Sequence, residues 1–444
     1  MSLGYVAPMS DLLIHGGNVF DGTGRPPFPA DIRIAGERIA AIGPHGSLDA
    51  DGAARIDASG MTVMPGLIDA HVHLGREPEH DGPLYVSAGV TTVRDTGGSL
   101  ERLAELKRRR ADGTWKGPRV IGAGPLIDGE PPVWPRFMTS VVTTPEEARR
   151  AVDAHAADGV DLLKAYSGID LPLLRAIIER ARDHGLPVIG DLSRTSASDA
   201  IDAGINGLEH ASVMYDDIVP HERRISMRLF HEQGPAIWRR EWNRGLAAAD
   251  PHGPEARTLA RRMADSGVAF DPTLVVLERL AHLNDPRITN APEVALAAET
   301  QRTMWRERSA GRERVFGPED HANAHRGFEV SVAFVGEAID AGATILVGSD
   351  APNPYVVPGW SLHRELELLV GAGLAPTDVL SRATRGNATA LRLGDLVGTI
   401  ETGKAADIVA IAGDPTRDIR ETRNVRHVIQ GGEVKEDVLT WTSA

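Results

Sequence analysis

Between residues 65 and 390 the chain repeats one pattern: a short apolar run, then a stretch with apolar residues at helical spacing. Eight runs qualify: "GLIDAHVH", "GVTTVRDTG", "RVIGAG", "VDLLKAYSG", "LPVIGD", "GINGLEHAS", "GVAFDPTLVV" and "GATILVGSDAP". The segments between them read as helices. In "TPEEARRAVDAHAADG", Thr144 is placed to cap the N-terminus and Gly159 to stop the helix, and "LPLLRAIIERARDHG" repeats the pattern. Strands joined by helical crossovers run parallel, and eight such units predict an α/β fold of the TIM (β/α)8 barrel type. Two connections, about 213–266 and 278–330, are longer than a barrel needs. Their Arg, Glu, Trp and Met content reads as helical, either shaping a substrate pocket or forming surface and oligomer contacts.

The ends of the chain differ from the middle. In "ADIRIAGERIAAIG" apolar and polar residues alternate on both sides of "AGER", a β-hairpin signal. Strand-like segments return in "GTIETGKAADIVAIAGDP" and "VRHVIQGGEVKED", punctuated by Gly403, Gly413, Gly431 and Gly432. Residues 11–64 and 391–440 are therefore expected to build one small β-sandwich from both termini, around a barrel at 65–390.

Charge and cysteine content exclude several functions. Lys and Arg total 48 against 62 Asp and Glu, a formal net charge of −14, which argues against nucleic acid or an anionic membrane as partner. The run Lys107, Arg108, Arg109, Arg110 reads as the solvated end of a helix. With no cysteine, disulfides, thiolate metal sites and thiol nucleophiles are ruled out. No run reaches the ~18 apolar residues of a membrane helix, and "MSLGYVAPMSDLLIHGG" lacks a signal-peptide pattern. A soluble cytoplasmic protein is the expectation.

In a barrel, chemistry sits at the C-terminal ends of the strands. The first run ends in His71 and His73, which at spacing i, i+2 share one face. Lys164 lies on the fourth run, Asp191 ends the fifth, His210 the sixth and Asp350 the eighth. Each has an ordinary alternative: a structural histidine pair, a snorkelling lysine, a loop hydrogen bond, a helix cap. Together they form a cluster of imidazole and carboxylate, the donors that zinc and similar divalent ions take.

The stretches "MPGLIDAHVHL", "LLKAYSG", "AIDAGINGLEH", "LVGSDAP", "LHRELELLVGAGLAPTDVLSRATRGNATALRLGD" and "GTIETGKAADIVAIAGDP" resemble the metal-dependent amidohydrolase superfamily. The pattern is similar to its imidazolonepropionase-like and Xaa-Pro dipeptidase-like branch. The resemblance implies a barrel with an attached β-sandwich and one or two metal ions, zinc first among them. It also implies roles. His71 and His73 match the ligands of the more buried ion, and Lys164 the lysine that bridges two ions once carbamylated. His210 matches the sixth-strand ligand, and Asp350 the aspartate that binds metal and accepts a proton from the nucleophilic water. The family often forms homo-oligomers.

One position departs from the pattern: the fifth strand, where a histidine is expected, ends in Asp191. Asp191 is a working oxygen ligand, a weakened second metal site, or the mark of an inactivated chain. Substrate contacts are expected beside the ligands, at Tyr166, Arg194, Trp134, Asn353, Trp360 and His363. Tyr166 and Arg194 suit a carboxylate, and Trp134, in the Pro-rich "EPPVWPRF", suits a pocket wall. The leading expectation is hydrolysis of a small amide: an N-acyl amino acid, a dipeptide or a related amide. The alternatives are an ester or carbamate hydrolase or a deaminase of the same superfamily, and a catalytically silent protein that only binds ligand. Lys164 argues against the deaminase, and the retained ligand set against the silent protein.

Overall fold

The computed structural model describes residues 11–49, 51–75 and 77–435, so residues 436–440 of the expected sandwich lie outside the described part. The middle of the chain is a TIM-like α/β barrel. Its strands are Leu67–Val72, Val90–Asp95, Arg119–Gly122, Leu163–Ala165, Val188–Gly190, Gly207–Glu209, Ala269–Asp271 and Thr344–Ile345, with helices between them. Pairing within the barrel is parallel throughout but falls into two ladders, one of three strands and one of seven. Single bonds join the ladders. His73 N–H donates to Ala351 O and Asp350 N–H to His71 O, both at 2.7 Å, and on the other side Asp161 N–H donates to Gly122 O at 2.9 Å. The first pair sets the end of the first strand directly against the end of the eighth.

Local chemistry explains the helices. Thr144 accepts from Glu147 N–H and opens Pro145–Ala157, while Gly159 follows it at φ +75°. Asp170 caps Leu171–Asp183 in the same way. The basic run ends the helix Leu100–Ala111, where Lys107 pairs with Asp161, Arg108 with Asp112 and Arg109 with Glu79. Two details differ from the sequence expectation. "TLVV" does not extend the seventh strand: Pro272 ends it, and Leu274–Ala281 is a helix whose first N–H groups are held by Glu365. Two extra strands, Leu126–Asp128 and Thr139–Val141, flank the Trp134 loop.

The two long connections are helical. They include Met227–Gln233, Pro235–Ala247 and Pro254–Ser266 in the first, and Glu299–Glu313 and Pro318–Asp340 in the second. The second packs over the segment after the eighth strand. Leu283, Ile288, Val294 and Trp305 share a cluster with Tyr355 and Val357, and Trp305 Nε1–H donates to Pro352 O at 3.3 Å.

The chain ends build two β-sheets, one of N-terminal strands alone and one of strands from both ends. Asp31–Ala35 and Arg38–Gly43 form the expected hairpin, paired antiparallel with Leu12–His15. Met61–Pro65 from the N-terminal part pairs antiparallel with Ile408–Ala412 from the C-terminal part. One core of Leu12, Ile14, Ile32, Ile34, Val63, Ile408 and Ile429 lies between the sheets. Among the described residues no helix is long and apolar enough to cross a membrane.

Candidate metal centre

Strand ends bring His71, His73, Lys164, Asp191, His210 and Asp350 together. Asp350 Oδ1 lies 3.3 Å from His73 Nε2 and 3.6 Å from His71 Nε2, and Asp350 Oδ2 lies 3.9 Å from His210 Nδ1. The His71 and His210 rings are 4.6 Å apart, those of His71 and His73 5.5 Å. Lys164, buried at 1% exposure, sets its Nζ 3.3 Å from His71 Nε2. Asp191 Oδ2 lies 3.6 Å from His210 Nε2. His71, His210 and Asp350 each offer one ligand atom within 4.8 Å of the others.

The backbone is bent to make this arrangement. His210 and Asp350 both adopt positive φ, +67° and +58°, a region that costs non-glycine residues energy and concentrates at functional sites. Thr273, at φ +44°, meets His210 Nδ1 with its hydroxyl at 2.7 Å.

Four charged residues not singled out from the sequence stand behind the candidate ligands. Glu209 Oε2 accepts from His71 Nδ1 at 2.6 Å, and Arg94 Nη2 donates to both Glu209 oxygens at 2.8 and 2.9 Å. Arg94 Nη2 also lies 3.5 Å from Asp271 Oδ2. Asp69 accepts from the Ser349 hydroxyl at 2.5 Å and the Ser349 N–H at 2.9 Å, tying the first strand to the eighth. With Nδ1–H given to Glu209, His71 turns its Nε2 lone pair toward Lys164 and Asp350. His73 does likewise, since its Nδ1 faces the Gly97 carbonyl at 3.0 Å and must donate to it. The all-buried group His71, Glu209 and Asp271 also has ligand-like spacing, but the Arg94 guanidinium already lies against its two carboxylates.

Electrostatics favours the metal-binding forms of His71 and Asp350 and, until a cation binds beside it, the charged form of His73. Burial, then the charges of Lys164 and His210, hold His71 well below the ordinary imidazole pKa, so it is neutral. Burial opposes charge on His73, but the contact and negative charge of Asp350 outweigh it and raise its pKa. Burial likewise works against the Asp350 carboxylate, yet His73, His210 and Lys164 bring it below its usual range. Burial and the nearby Glu209 drive Asp271 well above the usual carboxylate value. Asp350 Oδ1 is buried and makes no hydrogen bond of good geometry, with His73 Nε2 at 3.3 Å and His71 Nε2 at 3.6 Å beside it. His71 and His73 face Asp350 Oδ1 and His210 faces Oδ2, and three imidazoles gathered beside one buried carboxylate fit a divalent cation.

The expected substrate contacts divide. Tyr166 follows the fourth strand, its hydroxyl accepting from Trp134 Nε1–H at 3.1 Å, so the exposed Trp134 and Tyr166 form one wall beside Lys164. Asn353 donates to Asp350 O at 3.0 Å and steadies the turn after Asp350. Arg194 is bound to its own surroundings, 3.4 Å from Gly168 O and 4.0 Å from Asp170, with its side chain half exposed. Trp360 and His363 are not brought to the cluster. Their hydrogen bonds go to Ser87 at 3.3 Å and Thr422 at 3.0 Å, and burial pushes His363 down to about 3.

Barrel strand ends carrying clustered metal-type ligands define the class: an α/β-barrel protein with a candidate metal centre at the barrel mouth. The chain belongs to the amidohydrolase family, whose model matches residues 62–435. It is 25% identical over 430 residues to an imidazolonepropionase of Geobacillus kaustophilus, covering 89% of this chain and 87% of that protein. A shorter stretch of 85 residues is 44% identical to a D-aminoacylase of Alcaligenes xylosoxydans xylosoxydans, spanning 19% of this chain and only 17% of that enzyme. In fold it is similar to a Xaa-Pro dipeptidase crystallised with methionine in its active site. That likeness has a TM-score of 0.71 at 23% identity, over 96% of this chain and 100% of the other.

Proposed function

We propose that this chain is a metal-dependent hydrolase of small amides, acting on an N-acyl amino acid, a dipeptide or a related amide. The observation that carries this reading is the meeting of His71, His73 and His210 with the buried Asp350 carboxylate, in a chain of the amidohydrolase family. His71, His73, His210 and Asp350 would hold the ion, with Lys164 and Asp191 on the side where a second would sit. Zinc or another divalent ion there supplies Lewis acidity toward the substrate carbonyl and the attacking water.

The chain's own residues do the rest. Asp350 accepts the proton of the attacking water and returns it to the leaving amine, as a carboxylate held in its charged form by its neighbours is suited to do. Glu209 and Gly97 fix the two first-strand imidazoles with Nε2 forward. Tyr166 and Trp134 wall one side. A buried ammonium at Lys164 would repel a cation, whereas its carbamate, formed with carbon dioxide, is an anion able to bridge two. Asp191 brings a carboxylate to the outer position.

The test is a panel of N-acyl amino acids and dipeptides assayed for release of free amine by zinc-loaded protein. Hydrolysis that Asp350→Asn reduces by about 100-fold or more supports the reading. Turnover of esters or carbamates but of no amide would move it to the alternative hydrolase class.

A further inference from the structure

Helix Pro235–Ala247, in the connection after the sixth strand, carries Arg239, Arg240 and Arg244. Arg240 pairs with Glu241 at 2.9 Å, and Arg244 with Glu241 at 3.0 Å and Asp320 at 2.9 Å. Arg239 is different. Among the described residues it has no hydrogen bond and no ion pair with a carboxylate. Its contacts are two indoles: its guanidinium carbon lies 5.0 Å from the Trp238 ring centre and 5.1 Å from that of Trp242.

The helix is tied to the candidate metal centre. Trp242 stacks on Tyr215 with ring centres 5.3 Å apart, and Tyr215 follows the turn Ala211–Met214 that leads directly from His210. The Asp191 carboxylate is the negative charge acting on Arg239, Arg308 of the second connection opposes it, and the Tyr166 phenol nearby is kept neutral by burial. Burial lowers its pKa to about 10, which still leaves it a cation at neutral pH. Arg312, beside it, is spent on the Leu280 and Ala281 carbonyls. In a chain of net charge −14, this is a local concentration of positive charge. A partly desolvated guanidinium without an acidic partner is unfavourable to keep unless a ligand completes it. Stacked on aromatic faces, it keeps its N–H edges free for two-point recognition of a carboxylate.

We propose that Arg239 binds the substrate's carboxylate, so that the amides hydrolysed here are anionic ones: N-acyl amino acids or dipeptides with a free carboxylate on the leaving-amine side. This rests on the amide-hydrolase reading and deepens it. The carboxylate docks on Arg239 beyond Asp191 and Tyr166, and the scissile carbonyl then lies toward Asp350.

The experiment compares N-acetyl amino acids with their C-terminal amides, in binding and in acetate release, for zinc-loaded wild type and Arg239→Met. Binding is read by calorimetry, so the subsite is tested even if nothing is turned over. Wild type is expected to prefer acid over amide by at least tenfold, and the variant to lose that preference while keeping the wild-type melting temperature and zinc content. Arg239→Lys, which retains the charge but not the fork, is expected to fall between. Wild-type binding that is equal for acid and amide, or absent for every acid, overturns the proposal, as does an acid preference that survives Arg239→Met. Acid-selective binding without hydrolysis of any amide would retain the subsite and sink the amide-hydrolase reading instead.

Discussion

Replacing Glu209 by glutamine tests whether the buried charges behind the ligands prepare His71 for a metal. Glu209 is 1% exposed and accepts from His71 at 2.6 Å, while Arg94 donates to both its oxygens. Glutamine keeps the shape but removes the negative charge, and it puts an amide N–H where one oxygen stood. If that N–H faces His71, the imidazole must switch tautomer and turn a hydrogen toward the ion. Loss of such an outer partner typically costs about 10–100-fold in metal affinity, or ~1.4–2.7 kcal/mol. Arg94 would keep Asp271 at 3.5 Å and the Ala70 carbonyl. The destabilisation should therefore stay below the ~3–5 kcal/mol of a broken buried pair. Zinc affinity is measured by competition with a chromogenic chelator, and folding by thermal melting of the metal-free protein. Wild-type zinc affinity in a folded Glu209→Gln protein would refute the argument.

Thr273→Val should also weaken zinc binding, because it strips His210 Nδ1 of its 2.7 Å partner; an unsatisfied buried group costs about 1–3 kcal/mol, and zinc titration with thermal melting reads it. Burial raises Glu365 to about 8, above its unfolded value, so its contribution to stability is full below about 4.5 and is lost as pH rises through about 8. Glu365→Gln, which stays neutral, should flatten the fall in melting temperature between pH 5 and 8; an unchanged slope would refute this. His363 acts in the opposite sense: burial lowers it to about 3, so its contribution is present above about 6.5 and is lost as pH falls toward 3. His363→Gln should therefore lose melting temperature less steeply than wild type on acidification from pH 6.5 to 4.

The barrel was legible because its helices announce themselves, as at Thr144 and Asp170, and its strands end in residues that no apolar run needs. The members of the strand-end cluster were legible for the same reason: His71 and His73 share a face by spacing alone, and Lys164, Asp191, His210 and Asp350 each interrupt an apolar run at its end. The supporting charges were not. Arg94 meets Glu209 across 115 residues and Asp271 across 177, and a single charge inside a strand run does not say which partner the barrel brings to it. Trp360 and His363 follow Asp350 closely in sequence, but their helix turns them to Ser87 and Thr422. The seventh strand was read too long because "TLVV" is as apolar as a strand; Pro272 and the Glu365 cap make it a helix. Arg239 stood in a connection without a barrel pattern, and only its missing partner in space distinguishes it from Arg240 and Arg244.

The most direct test of the central claim is the metal content per chain, by elemental analysis of protein prepared with zinc and bicarbonate, beside the His71→Ala variant. At least one zinc per wild-type chain and a clear loss in the variant is the predicted result, and a second zinc would mean that Lys164 and Asp191 support the outer position. A folded wild-type chain that holds no stoichiometric metal, or a His71→Ala chain that holds as much as wild type, would contradict it.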